Sequence, residues 1–421
     1  MQVFANKKLN NLFIYGLGQG VNLLMPLLVI PYIIAICGEE GLGKIGIGFS
    51  MALIICAFVD YGSYIKGVKD ISLNRDDPKF LAEKVKAIYL SKFLLLLLII
   101  LVFLIALFNV PYLAGDKLLF TFSLAIVVGQ FLNPAWFFQG TENYKWLSFI
   151  NILSKVLYVT GIFVFVTDKG DYIYANFFFG AGSIIASLIA LVFIIKKYSI
   201  TFENSTFRSA IYILKDEFTF SLSQVFLSVY QYVAIIIIGY LIGEYYAGQY
   251  KIIDTVVMTL KSYLTIFFYF IYANICFEIS KDLKGGLKVW RLYNGLNFLF
   301  VMVVITVFYF AAELILTYFK IRAEDMPVVA SYFRISLVIP VLIAISLPLR
   351  QLMFAFDKNR VYITVTTVST IVNVVLLIFL TKHYHLEGAF ASIIIIEVII
   401  IALYLLILNN HLKKINEPKA V

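Results

Sequence analysis

Charged side chains inside long apolar runs are the residues of this chain that could do chemistry. Lys155 and Lys261 fall near the middle of such runs, and Glu397 lies midway along another. A Lys or Asp at a bilayer centre costs about 2.5–3.5 kcal/mol on insertion scales, so such residues are expected to face a cavity or a partner instead of lipid. Asp60, Lys251, Asp254 and Arg334 sit nearer the ends of their runs. For Asp60, Lys251 and Arg334 a snorkelling position at the interface and a place in a cavity stand equally open. Lys251 and Asp254 are also one turn apart and can pair with each other.

Polar residues recur at helical spacing around these charges. Tyr15, Gln19, Asn22 and Pro26 form one stripe, and Ser148, Asn151, Lys155 and Tyr158 a second. Ser221, Gln224, Ser228 and Gln231 form a third, with Lys251, Asp254, Lys261 and Thr265 as a fourth. Each set lies on one helix face. The neutral members fit either a shared aqueous path or interhelical hydrogen bonds. The lysines favour the path. A cavity lined by Lys155, Lys261, Lys251 and Arg334 beside Gln19, Asn22, Asn151, Gln224 and Gln231 selects an anionic passenger, phosphate foremost. Glu397, Asp254 and Asp60 are the carboxylates that could take a proton or sodium ion. Glu397 could equally be the partner of a lysine from another span.

The elements that must position these residues follow from composition. Of 421 residues, 62% are hydrophobic and only 14% charged, with a mean hydropathy of +0.93. No soluble domain hides that much apolar surface, so lipid is the expected solvent. Twelve stretches are long enough to span, at about 11–37, 43–65, 87–109, 117–139, 145–167, 172–196, 216–242, 246–275, 290–313, 327–350, 360–382 and 386–409. Short connections predict a compact all-α membrane protein. The first run is too long for a signal-peptide core and reads as an uncleaved span. Lys and Arg favour the side of the N-terminus by about three to one, which places both termini in the cytoplasm. The same bias explains the net charge of +9 without nucleic acid.

A faint internal repeat, Gly16-Leu-Gly-Gln19 echoed by Ser221-Leu-Ser-Gln224, divides the chain into lobes 1–205 and 206–421, six spans each and in one orientation. Other motifs carry less. Gly16-x-Gly-x-Gly20 lies inside a span and reads as helix packing. No P-loop, cofactor motif or nucleophile–base pair is present, and Cys37, Cys56 and Cys276 are scattered apolar-run residues. His383-Tyr-His385 lacks the further ligands a metal needs. Asn204-Ser-Thr206 fits a glycosylation sequon on the cytoplasmic side, where it would not be used.

One stretch stands out between spans 4 and 5: Asn133-Pro-Ala-Trp-Phe-Phe-Gln-Gly140, then Glu142 and Lys145-Trp146. Asn133 before Pro134 predicts a kink late in span 4. Trp136 and Trp146 are expected as anchors at the cytoplasmic interface, with Gly140 ending one helix and Asn143 capping the next. The hairpin then aims Lys155 at the lobe interior.

This stretch closely resembles the signature of bacterial polysaccharide flippases, the O-antigen and capsule repeat-unit transporters of the multidrug/oligosaccharidyl-lipid/polysaccharide superfamily. Gln19-Gly-Val-Asn22, Pro26-Leu-Leu-Val-Ile-Pro31-Tyr32, Gly38-Glu-Glu-Gly-Leu-Gly43, Asp60-Tyr-Gly62 with Arg75-Asp-Asp77, and Glu387-Gly-Ala389 before Glu397 are similar to that family as well. The proline that the family often carries late in span 8 is missing at Tyr272-Ala-Asn274. The resemblance implies a MATE-like fold, about twelve helices in two six-helix lobes around a central cavity, in the bacterial inner membrane. It implies an undecaprenyl-diphosphate-linked oligosaccharide as passenger, cation antiport as driving force, and a polysaccharide polymerase and chain-length regulator as partners. A cation-coupled drug or metabolite exporter and a membrane polysaccharide polymerase are the competing readings. The mixed-to-basic polar faces speak against a cationic drug, and the absence of a large external loop speaks against a polymerase.

Overall fold

The structure, a computed structural model, describes residues 2–200 and 207–416, leaving aside the side chains before Gly16, those beyond Lys413, and those of Leu17, Gln19, Leu23, Ile65, Thr219 and Phe220. The described residues are helical almost throughout. Among the described residues, ten helices are long and apolar enough to cross a membrane. Two of them are too long for one crossing. The span-forming part of α1 (Gln2–Asp60) runs 41 residues and that of α16 (Asn359–Asn416) runs 55. At about 1.5 Å per residue these exceed a hydrocarbon core of about 30 Å roughly two-fold or more. Each is broken where the two expected spans meet: α1 at Gly38 (φ +75°), α16 at Tyr384 and His385. With these two breaks, the ten span-length segments of the described residues accommodate the twelve spans expected. His383 and His385 lie inside α16, packed beside the rings of Phe379 and Tyr246.

The chain forms two compact units, Met1–Ile236 and Ile237–Val421. The first holds α1, α2 (Val68–Leu73), α3 (Pro78–Asn109), α4 (Pro111–Gly115), α5 (Lys117–Leu132), α6 (Ala135–Gly140), α7 (Tyr144–Phe165), α8 (Ile173–Lys197), α9 (Phe207–Asp216) and most of α10 (Phe218–Ile242). Its centre is the packing of α1, α5, α7 and α8. Hydrogen bonds cross between these helices: Asn176 Nδ2 donates to the Ile45 carbonyl at 3.1 Å and to Ser123 Oγ at 2.9 Å. By contrast α3 leaves Leu97, Leu98, Leu101, Val102 and Ile105 exposed along its length, as a lipid-facing helix does.

The second unit holds α11 (Glu244–Lys281), α12 (Leu283–Phe310), α13 (Ala312–Tyr318), α14 (Met326–Ser336), α15 (Val338–Ala355) and α16. A polar relay links three of its helices. Asn294 donates to Gln351 Oε1 at 3.2 Å, and Gln351 Nε2 donates to the Phe268 carbonyl at 3.2 Å. Gln351 is buried, and these bonds meet the requirement that a polar group out of water find a partner.

The Asn133–Pro134 break occurs as its residues predict. Asn133 is extended (φ −65°, ψ 112°), α5 stops at Leu132, and the Asn133 side chain accepts from the Ala135 N–H at 3.0 Å. The rest of the stretch departs from expectation in part. Trp136 is fully buried in a core with Ile71, Leu81, Phe137 and Phe138, so it is no interfacial anchor. Trp146 stacks on Phe138 and Phe193 at ring distances of 5.6 and 4.5 Å. α6 ends at Gly140 as expected, while the left-handed residue of the turn is Glu142 (φ +55°), and Asn143 at the start of α7 makes no side-chain cap. Gly140 also serves a close approach: a Cβ there would sit 2.7 Å from Ile71.

Candidate functional site

In the first unit the charged residues gather at the end of α1. Asp60 is its last residue, and the chain then turns through Tyr61 (φ +38°) and Gly62 (φ +78°) into a short π-helix, Ser63–Gly67. Asp60 Oδ1 accepts from Lys92 Nζ at 3.2 Å, and Oδ2 accepts from Gln130 Nε2 at 2.7 Å. Gln130 Nε2 also lies 3.4 Å from Tyr64 Oη, and Lys92 reaches the Gln130 carbonyl at 3.4 Å. Lys92 is 2% exposed at its side chain against 21% for Asp60, so the carboxylate is the part that faces open space. That space is an open-sided cavity of about 280 Å³ whose lining includes Asp60, Gln130, Gln224, Ser228 and Tyr232. Asp60 is held by an ion pair to a buried lysine at the cavity wall.

Charged residues of the adjoining connections pair off beside it. Arg75 pairs with Glu142 at 3.4 Å, and the Asp77 carboxylate caps α3 through the Lys79 and Phe80 N–H groups. Lys84 pairs with Asp70 at 2.6 Å, Lys66 with Asp216, and Tyr61 Oη donates to the Leu214 carbonyl at 2.6 Å. Glu217, between α9 and α10, is buried against Gly62, where a Cβ would come within 2.6 Å of its Oε2. Burial pushes the Glu217 carboxyl from the ordinary 4.5 up to about 7, against the opposing pull of Lys84 and Lys66. The hydrogen bond to Asp216 holds the Lys66 ammonium above its usual range.

Elsewhere in the unit, Lys155 on α7 is half-buried, its ammonium 3.7 Å from the centre of the Phe179 ring. Phe49 and Tyr158 meet that ring edge-on at 4.9 and 5.2 Å. No ion pair to a described residue is formed, and the ring face supplies the compensation. Ser148, in the same stripe, is buried against Gly18 of α1, so there the stripe is a helix contact. Asn22 and Asn151 are half-buried, Gln224 lines the cavity, and Gln231 is exposed. The Gln19 side chain and the Asn204 sequon lie outside the described residues.

In the second unit Lys251 pairs with Asp254 at 3.9 Å, the local pairing that their spacing permits. Lys261 is half-buried within electrostatic reach of Glu397, Asp254 and Arg350. Glu397 is buried. Arg350 lies over Phe268 and Tyr362, at 4.8 and 5.9 Å from the ring centres. Arg334 pairs with Glu313 at 3.4 Å and donates to the Tyr309 carbonyl at 3.3 Å, which places it at a partly exposed edge.

Sequence reasoning missed Lys92, Gln130, Tyr64, Glu217 and Arg350. Lys92 lies within α3 and Arg350 within α15. The signal for Lys92 was available: a lone lysine at the head of an unbroken leucine run has to find a carboxylate.

These features define an all-helical multi-pass membrane protein with polar sites inside its spans. Its fold is that of the MATE and MurJ proteins. It matches an inward-facing MATE family multidrug resistance transporter of the MOP superfamily with a TM-score of 0.70 at 14% identity, over 96% of this chain and 100% of that one. It matches the lipid II flippase MurJ in an inward closed conformation with a TM-score of 0.71 at 14% identity, over 94% and 87%. The sequence goes further than the fold: the polysaccharide biosynthesis protein family matches residues 9–271, and the chain belongs to that family. Two relatives carry the name "Putative O-antigen transporter". The one from Escherichia coli (strain K12) is 28% identical over 266 residues, 63% of this chain and 64% of that protein, so this match spans under two thirds of the relative. The one from Shigella dysenteriae is 21% identical over 396 residues, 93% of this chain and 97% of that protein.

Proposed function

We propose that this chain carries an undecaprenyl-diphosphate-linked oligosaccharide from the inner to the outer leaflet of the bacterial cytoplasmic membrane by alternating access. In this reading both termini lie in the cytoplasm, and a proton or sodium ion returns in exchange through Glu397 or Asp254. The family and its O-antigen relatives support the passenger class. The observation that carries the reading is Lys155, an ammonium held over the Phe179 ring within a span and paired with no described carboxylate. A net cation in that position is stabilising only when an anion arrives, and a diphosphate is such an anion. Lys261, held among Glu397, Asp254 and Arg350, is the corresponding cation of the second unit. Outward movement of two negative charges runs downhill by about 4.6 kcal/mol per 100 mV, inside negative, so the barrier lies in desolvation.

The test is surface polysaccharide in a strain whose own flippase is deleted. Lys155→Ala and Lys261→Ala should each abolish it, with lipid-linked repeat units accumulating inside and the protein still in the membrane. Normal polymer from both variants would overturn the cationic path.

A further inference from the structure

The cavity at the end of α1 has a chemistry that a diphosphate does not use. Lys92 already balances Asp60, so the pair offers no net charge to a phosphate or to a free metal cation. What remains toward the open space is neutral hydrogen-bonding capacity. The Asp60 carboxylate accepts two bonds in the structure and has lone pairs left for more. Gln224 and Ser228, one turn apart on α10, line the same cavity without a hydrogen bond to a described residue. Gln130 adds an amide, and Tyr64 and Tyr232 add ring surface.

A carboxylate, two amides, a hydroxyl and aromatic carbon on one wall form the set that a pyranose needs. Its vicinal hydroxyls donate to carboxylate and amide oxygens, and its C–H faces lie on aromatic rings. A cavity of about 280 Å³ is at the lower end of small-ligand sites, room for one sugar ring and not for a whole repeat unit. Its position also fits loading. Asp60, Gln130 and Gln224 sit at the span ends next to the connections 61–77 and 133–143, the side to which the basic residues assign the cytoplasm.

We infer that this cavity is a sugar-recognition subsite that holds one neutral pyranose of the passenger at the cytoplasmic end of the first unit. The inference rests on the chain's being a carrier of lipid-linked sugars and adds to it the class of sugar and the residues that read it. Charge balance at Asp60–Lys92 makes the subsite prefer neutral hexoses and N-acetylhexosamines over uronic acids, whose carboxylate would meet Asp60.

The experiment measures dissociation constants of the purified full chain in detergent for four probes. These are a short-chain prenyl diphosphate with no sugar, and the same lipid bearing glucose, N-acetylglucosamine or glucuronic acid. The wild type should bind at least one neutral glycosylated probe tenfold or more tighter than the bare one, with no such gain for glucuronic acid. In the double variant Gln224→Leu/Ser228→Ala the ratio of glycosylated to bare affinity should fall to within about threefold of one. Ser228→Phe, which fills the cavity, should remove the same ratio and guards against misfolding of the double variant. A wild type without a gain from either neutral sugar, or variants that keep it, would overturn the subsite while leaving carriage of the diphosphate lipid standing. A wild type that binds no probe, bare lipid included, would instead remove the functional reading on which the subsite depends.

Discussion

At the scale of single residues, the buried charges divide by how each is compensated. Asp60 and Lys92 compensate each other, Lys155 rests on a ring, and Glu217 lies beside Lys66 and Lys84 yet is dominated by burial. Glu217 faces Lys84 of α3, Lys66 of the π-helix, Asp70 of α2, Asp216 of α9 and the Tyr61 hydroxyl. Its raised carboxyl has a definite sign. Between about pH 4.5 and 7 the folded state holds a proton that the unfolded state has lost, so stability falls as pH rises through that window. Glu217→Gln should therefore match the wild type near pH 4 and be more stable than it at pH 8, by roughly 1–3 kcal/mol. Thermal unfolding of the purified protein at the two pH values checks this. A variant less stable than wild type at pH 8 would mean that Lys66 and Lys84 win over burial.

At the scale of elements, the short helices α2 and α6 matter more than their length implies. Both contribute to one core, where Ile71 and Trp136 are fully buried. Gly140 lets α6 touch α2, its missing Cβ leaving 2.7 Å to Ile71 and 3.0 Å to the Val68 carbonyl. Gly140→Ala should cost about 1–3 kcal/mol through overpacking, seen as a lower midpoint of thermal unfolding and less protein in the membrane. Adding Ile71→Val should not recover the loss, because valine keeps the Cβ and Cγ2 that meet position 140 and the Val68 carbonyl is backbone. A Gly140→Ala protein as stable as the wild type would show that the two helices can separate freely.

At the scale of the whole molecule, the distribution of Lys and Arg and the twelve spans make a topological claim. Reporter fusions after Lys169 and after Lys284 should signal opposite sides of the membrane, the second cytoplasmic. Signals from the same side would change the count of crossings between them. The breaks in the long helices set the absolute sides: were α1 to cross only once, without its break at Gly38, both fusions would exchange sides together, and were α16 to cross only once, without its break at Tyr384–His385, only the C-terminus would move.

Much of this was legible without coordinates. Whether a stretch enters lipid depends on about twenty consecutive residues, so the spans could be read by hydropathy alone. The break before Pro134 was likewise a clash between adjacent residues and needed no tertiary information. The lysines inside spans were visible because insertion makes them expensive wherever they point. Which groups meet was not legible. Lys92, Asp60 and Gln130 come from three spans, and α3 beyond Lys92 is apolar on every side, so no periodicity tells which face packs inward and which meets lipid. In water, burial sorts apolar from polar faces; in a bilayer the lipid accepts both packed and unpacked apolar faces almost equally. Trp136 shows the consequence: its composition and position suited an interface, and only the arrival of α2 and α3 around it put it in a core. The sequence by itself determined the spans, their breaks and the charges they carry, while the tertiary structure alone decided which charges neutralise one another and where a polar cavity is left over.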